Sequence, residues 1–217
     1  MRYIDIHALL KTIRSDVDGE EACAALARAH RSLAIRFAHD RQGYIKRNGA
    51  AKWRPLKERL TELLGKKCWY TEAEPTGGDL VIDHYRPKSV YWFLAFDEHN
   101  YRVACPYANT SHHNEEHGRA GGKGEHFPLL DGSNRARGRN QVKMERPVIL
   151  DPCNEEDCKL ISFLPDGRPV IHPDFVNAPF RKKRVEESKI LLNLDHPDFN
   201  SKRALLHESD PGDLVVG

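Results

Sequence analysis

The hydrophobic positions at the start of the chain recur with a helical period. Residues 18–47 contain no proline and place Leu26, His30, Leu33 and Phe37 at three- and four-residue steps, which predicts one long amphipathic helix. The Asn48-Gly49 pair reads as its end. Trp53, Leu56, Leu60, Leu63 and Leu64 then repeat the spacing as far as Gly65, Lys66 and Lys67, a helix stop. Beyond this point the pattern changes. Residues 80–87 (LVIDHYRP) and 100–106 (NYRVACP) are short strand candidates rich in β-branched and aromatic residues, joined by the aromatic connection SVYWFLAFDEH. The polar run ANTSHHNEEHG reads as a short helix ended by Gly118, and the stretches 118–126 and 131–141, rich in Gly, Arg and Asn, read as loops. A turn at Pro165-Asp166-Gly167 and two helical runs, 180–194 and 199–208, complete the chain. The order predicts an α+β fold, mostly helical, in three regions: helical 1–66, a small core over 67–130 that holds both strands, and a loop-and-helix region over 131–217.

Composition narrows the function classes. With 217 residues, 39% hydrophobic and 30% charged, and a mean hydropathy of -0.66, the chain reads as a polar globular protein. No apolar run approaches the roughly 18 to 20 residues that span a bilayer, and the first residues lack the apolar stretch of a signal peptide, so a cytoplasmic protein away from membranes is expected. Five scattered cysteines, an odd number, argue for free or metal-bound thiols rather than a disulfide framework. The net charge of +2 hides a segregation: Arg28 to Lys67 carries twelve Lys and Arg against Asp40, Glu58 and Glu62, whereas Leu150 to Asp166 carries five acids and one Lys. The basic N-terminal half suits a polyanion, and it equally suits a solvated helix surface.

The sharpest chemical feature is Asp83-His84 at the end of the first strand, with a second strand opening at Asn100 and a polar segment after it. A carboxylate can hold a divalent ion and an imidazole can deprotonate water near neutral pH, the two groups that phosphodiester hydrolysis needs. Adjacent strand residues point to opposite faces, so the two converge only if the strand bends there, and Pro87 favours such a bend. Other constellations are weaker. His113 and His117 would share a helical face at i and i+4, but Glu116 does not complete an HExxH pattern, and the chain has no P-loop. Cys153 and Cys158 flank an acidic segment, without a basic neighbour to activate a thiol.

These residues resemble the HNH endonucleases with their ββα-metal core, and within them the PtuB-type nucleases of Septu and retron-associated anti-phage systems. The resemblance rests on Lys67-Cys68-Trp69-Tyr70-Thr71-Glu72, Asp83-His84-Tyr85-Arg86-Pro87-Lys88, Tyr91-Trp92-Phe93-Leu94, Asn100 to Cys105, Asn109 and Phe127-Pro128-Leu129. Ile149 to Cys153 and Leu191 to Leu194 extend it. It implies that His84 is the general base, that Asp83 and Asn109 hold one Mg2+ or Mn2+, and that Asn100 fixes the backbone orienting His84. Arg86 and Lys88 would grip neighbouring phosphates, with Arg54, Lys66, Lys67 and Arg102 as further nucleic-acid contacts. The partners it implies are a PtuA-type ATPase, a nucleic acid (DNA or a tRNA), and in retron systems a reverse transcriptase with its RNA–DNA product. The N-terminal helices, 18–65, would dock on the ATPase or on the nucleic-acid backbone. A catalytically inactive binding subunit of the same complex is the competing reading.

Two departures from the family pattern stand out. The structural zinc knuckle has lost the second member of each cysteine pair, because Thr71 and Ala108 stand where cysteines belong, leaving Cys68 and Cys105 as a remnant better suited to free thiols than to zinc. Where the family often has a lysine after Asn109, this chain has His112, read as an added metal ligand, a phosphate contact or a surface histidine.

Overall fold

The computed structural model describes residues 1–114 and 118–209, and the side chains of these except 112, 114, 119, 208 and 209. Three helices open the chain. Helix α1 (Ile6–Ile13) is capped by the Asp5 carboxylate, which accepts from the amides of His7 and Ala8 at 3.0 Å. Helix α2 (Val17–Ala34) is capped by Asp16 through the Gly19 amide at 2.9 Å, and Gly19 is needed there because a Cβ would lie 2.0 Å from the Ile13 carbonyl oxygen. Helix α3 spans Ala38–Leu64.

The predicted single helix over 18–47 is thus two helices, and the break falls at 35–37 instead of at Asn48-Gly49. Leu26, Ala29 and Leu33 are buried, but Ile35 and Phe37 are 88% and 76% exposed, so continuing the helix would have carried the apolar face away from the core. Gly49 stays helical because the indole of Trp53, one turn on, lies over it; an added Cβ would meet the ring at 2.1 Å.

Strands β1 (Val81–His84) and β2 (Tyr101–Ala104) form an antiparallel hairpin with Asp83 opposite Arg102 and His84 opposite Tyr101. Both strands rest on α3. A single helical turn follows, α4 (Pro106–Asn109). The predicted helix ending at Gly118 is replaced by a second hairpin, β3 (His112–Asn114) and β4 (Arg119–Gly121), so part of the expected 118–126 loop is strand. His113 therefore sits in a strand and not on a helical face, and His117 lies outside the described residues. The 131–141 stretch ends in a 3-10 turn over Arg139–Met144.

Helix α5 (Glu155–Cys158) leads into a third hairpin, β5 (Ile161–Phe163) and β6 (Pro169–Ile171), closed by the predicted turn with Gly167 at φ +80. Helices α6 (Pro179–Leu191) and α7 (Pro197–Ser209) match the two predicted runs. The result is an α+β fold, mostly helical, with small antiparallel sheets, and most of its buried apolar residues form one cluster drawing on all three regions. Among the described residues no helix is long and apolar enough to cross a membrane.

Candidate active site

His84 closes β1, and the bend after it is held by an amide. Asn100 accepts from the Arg86 amide through Oδ1 and donates to the Arg86 carbonyl through Nδ2, both at 2.9 Å, while the Tyr85 amide donates to the Asn100 carbonyl at 2.8 Å. The backbone thereby turns sharply before Pro87. His84 Nε2 lies 2.9 Å from the Ala95 carbonyl oxygen. A carbonyl only accepts, so Nε2 carries the hydrogen of the neutral ring and the lone pair sits on Nδ1. The ring is wedged between Trp53 and Tyr101, with centroids 4.8 and 5.0 Å away. Burial, reinforced by the nearby Lys88 ammonium, pushes its pKa down to about 3, so the imidazole is neutral at pH 7.

Asp83 and His84 border one cavity of about 340 Å³, together with Lys88, Asn109 and Thr110. The bend follows both residues, and their side chains keep different neighbours: the His84 ring lies against Trp53 and Tyr101, and the Asp83 carboxylate meets Tyr70 and Lys123. Asp83 is nonetheless fully engaged: Tyr70 donates its hydroxyl to Oδ2 at 2.6 Å, and the Lys123 ammonium donates to Oδ1 at 2.8 Å. The same ammonium donates to the His84 carbonyl at 2.8 Å, and Lys123 is completely buried.

Lys123 is the site residue that sequence reasoning missed. The β3–β4 hairpin leaves the chain after Asn109 and returns at Gly122, where the Lys123 amide donates to the Ala108 carbonyl at 2.9 Å and the Gly124 amide to the Asn109 carbonyl. Lys123 thus lands beside Asn109, although thirteen residues intervene. The available signal was Lys123-Gly124 shortly ahead of Phe127-Pro128-Leu129. The His112 side chain lies outside the described residues.

The remaining candidates divide. Lys88 borders the cavity, with Nζ 5.9 Å from the Trp53 ring centroid. Arg86 turns away: its Nε donates to buried Glu145 at 2.7 Å, beside a different cavity of about 840 Å³, so it is not free for the expected phosphate grip. Arg102 is also corrected. It is buried and forks onto Asp151 at 2.6 and 2.7 Å, because its strand face looks inward, so it does not present charge to a nucleic acid. Arg54 and Lys66 are exposed and Lys67 half-buried.

The ions implied by the resemblance can be tested against these donors. Asp83 and Asn109 are hard oxygen donors of the type Mg2+ and Mn2+ prefer, but both Asp83 oxygens are taken, one by a cation. Among the described residues, the acid and histidine side chains close enough to surround an ion are Asp97, Glu98 and His99, on the β1–β2 connection, where Arg14 and Arg139 already pair with Glu98 and Asp97. As folded, the Asp83 site does not fit a divalent ion.

Zinc fits no better. Cys68 and Cys105 are buried free thiols hydrogen-bonded to each other, with Thr71 and Ala108 at the remaining corners. Burial opposes the Cys68 thiolate, yet hydrogen bonds from Cys105 and Thr71 bring its pKa down to about 7, while the Cys68 neighbour and burial push Cys105 up. Two thiols cannot close a four-ligand site.

No protein-family model matches the chain. It is similar to the Septu protein PtuB of Bacillus mycoides (strain KBAB4), 26% identical over 133 residues, a match covering 54% of this chain and 41% of that protein. The chain spans about two-fifths of the length of this curated relative.

Proposed function

We propose that the chain is a nuclease subunit of a Septu-type anti-phage defence system, working with a PtuA-type ATPase, and that His84 activates water to hydrolyse a phosphodiester. The observation that carries this reading is the fixed tautomer of His84. Its Nε2 hydrogen is committed to the Ala95 carbonyl, and Nδ1 has no partner among the described residues, in a ring that borders the cavity. Water held there transfers a proton to Nδ1 as its oxygen attacks phosphorus, and the bond to the 3′ oxygen breaks, that oxygen leaving with a proton from solvent and the phosphate staying on the 5′ end. Lys88, on the same wall, faces the charge that develops on the phosphate oxygens. Asn100 acts through the backbone, holding the bend that aims the ring. Exposed Arg54 and Lys66 offer positive charge to a nucleic-acid backbone.

The second reading, a catalytically inactive binding subunit, draws on the complete engagement of Asp83 by Tyr70 and Lys123. A cleavage assay on DNA and RNA, with the ATPase partner and with Mg2+, Mn2+ or neither, separates the two. The nuclease reading expects His84→Ala to lose about 10²- to 10⁴-fold in rate while keeping its fold. Equal cleavage by wild type and His84→Ala, or none by wild type, sinks it.

A further inference from the structure

The Lys123 ammonium sits where a cation is wanted. It is fully buried and bonded at 2.8 Å to one Asp83 oxygen and at 2.8 Å to the His84 carbonyl, with the Gly124 carbonyl at 3.5 Å as a weak third neighbour. A side-chain cation ringed by a carboxylate and backbone carbonyls has the surroundings of a small metal ion. Its delivery is built into the fold. Gly122, at φ +93, lets the β3–β4 hairpin close tightly on Thr110, whose carbonyl oxygen a Cβ would approach to 1.7 Å. Gly121 does the same against Asn193, beyond the end of α6, with 1.8 Å to its Oδ1. Asn193 in turn donates to the Tyr107 carbonyl in α4 at 2.7 Å. The lysine is therefore held on both sides and does not reach Asp83 as a loosely placed surface group.

Tyr70 occupies the other Asp83 oxygen at 2.6 Å. A divalent ion approaching this carboxylate must either share an oxygen with an ammonium, placing charges of +2 and +1 a few Å apart in a buried setting, or expel the ammonium. We propose that Lys123 is the resident cation of the site and that its ammonium keeps Mg2+ and Mn2+ off Asp83. Lys123 is then a positioning residue: through Asp83 and the His84 carbonyl it holds the end of β1. The proposal rests on the nuclease reading for its purpose, but its test reads ion binding, so either can fail without the other.

Mn2+ titration of the full chain, followed by electron paramagnetic resonance of the free ion, provides that test. Lys123→Met removes the charge and Lys123→Gln keeps a hydrogen-bond donor toward Asp83. Each is expected to bind Mn2+ at least about tenfold more tightly than wild type, and Asp83→Asn in the same background to abolish the gain. Equal or weaker binding by the folded variants overturns the proposal. A measurement on wild type removes dependence on variant folding: labelling of lysines with acetic anhydride, read by mass spectrometry, is expected to leave buried Lys123 equally protected with and without Mn2+. Labelling of Lys123 that rises with Mn2+ also overturns it.

Discussion

The chain has two places where the family resemblance puts a metal ion, and in both a buried cationic side chain arrives from elsewhere in the sequence. At Asp83 the cation is Lys123, and it meets a carboxylate. Beside the knuckle remnant it is Arg203 of α7, which donates to the carbonyls of Thr71 at 2.7 Å, Gly167 at 2.6 Å and Leu194 at 2.6 Å, and to Asn200 Oδ1 at 2.6 Å. None of those acceptors is charged. The first arrangement is an ion pair, in which one cation can be exchanged for another. The second is a fork of hydrogen bonds tying the 68–73 turn to the β5–β6 turn and to α7, which no spherical ion reproduces. The candidate active site pairs its cation with a carboxylate, whereas the turn at Cys68 is tied by neutral hydrogen-bond acceptors.

The largest effect expected from this contrast is on stability. Arg203→Met leaves several buried carbonyls without a donor, a loss of about 3 to 5 kcal/mol, which lowers the melting temperature by roughly 10 °C in a chain of this size. The same thermal melt in a strong chelator is expected to match wild type, because two thiols do not close a zinc site. An Arg203→Met protein that melts with wild type, or a wild type destabilised by the chelator, would restore the metal to the knuckle and erase the contrast.

A smaller effect separates rate from stability on the other side of the comparison. At Gly49 a Cβ would lie 2.1 and 2.4 Å from the far edge of the Trp53 indole, and that ring contacts His84 with centroids 4.8 Å apart. Gly49→Ala gains helix propensity but pushes the indole onto the His84 ring, so the proposed cleavage is expected to fall by about 10²-fold while the melting temperature changes little. Unchanged cleavage would show that the indole moves without carrying His84 with it. A matching loss of stability would place Gly49 with Arg203 among the structural staples.

How much of this the sequence discloses depends on how local each interaction is. The strands flanking Asp83-His84 and Asn100, helices α6 and α7 and the turn at Gly167 follow from periodicity and turn chemistry within a few residues. The weakened knuckle is legible at Thr71 and Ala108 because family spacing fixes where cysteines belong. Lys123 is not legible in this way: the β3–β4 hairpin that carries it back to Asn109 has no hydrophobic alternation, since His112 to Asn114 are all polar. Arg102 misleads for a related reason. An arginine in a short strand reads as solvent-facing until Asp151, 49 residues away, receives it in the interior. Arg203 likewise finds Thr71 across 132 residues. Buried polar groups are paired by tertiary structure, and local patterns do not carry that information.

The smallest effect concerns charges that lie outside both staples. On the connection between β1 and β2, His99 Nδ1 lies 3.3 Å from Asp97, and this hydrogen bond, opposed by partial burial, holds the His99 pKa above its ordinary 6.5. A histidine whose folded pKa is raised contributes stability that is fully present below about pH 6.5 and is lost as pH rises through the raised value. Wild type is therefore expected to melt slightly above His99→Gln at pH 5.5, with the difference gone by about pH 8.5. Burial lowers the Arg203 pKa to about 9, so its guanidinium stays charged up to about pH 8 and the Arg203→Met destabilisation should hold constant from pH 5.5 to about 8. A His99 difference that is flat or grows toward alkaline pH would mean that the ring is not paired as protonated imidazolium. A pH-dependent Arg203 effect would mean that the knuckle staple titrates with the thiols beside it, and the two interior cations would no longer differ in the way their acceptors require.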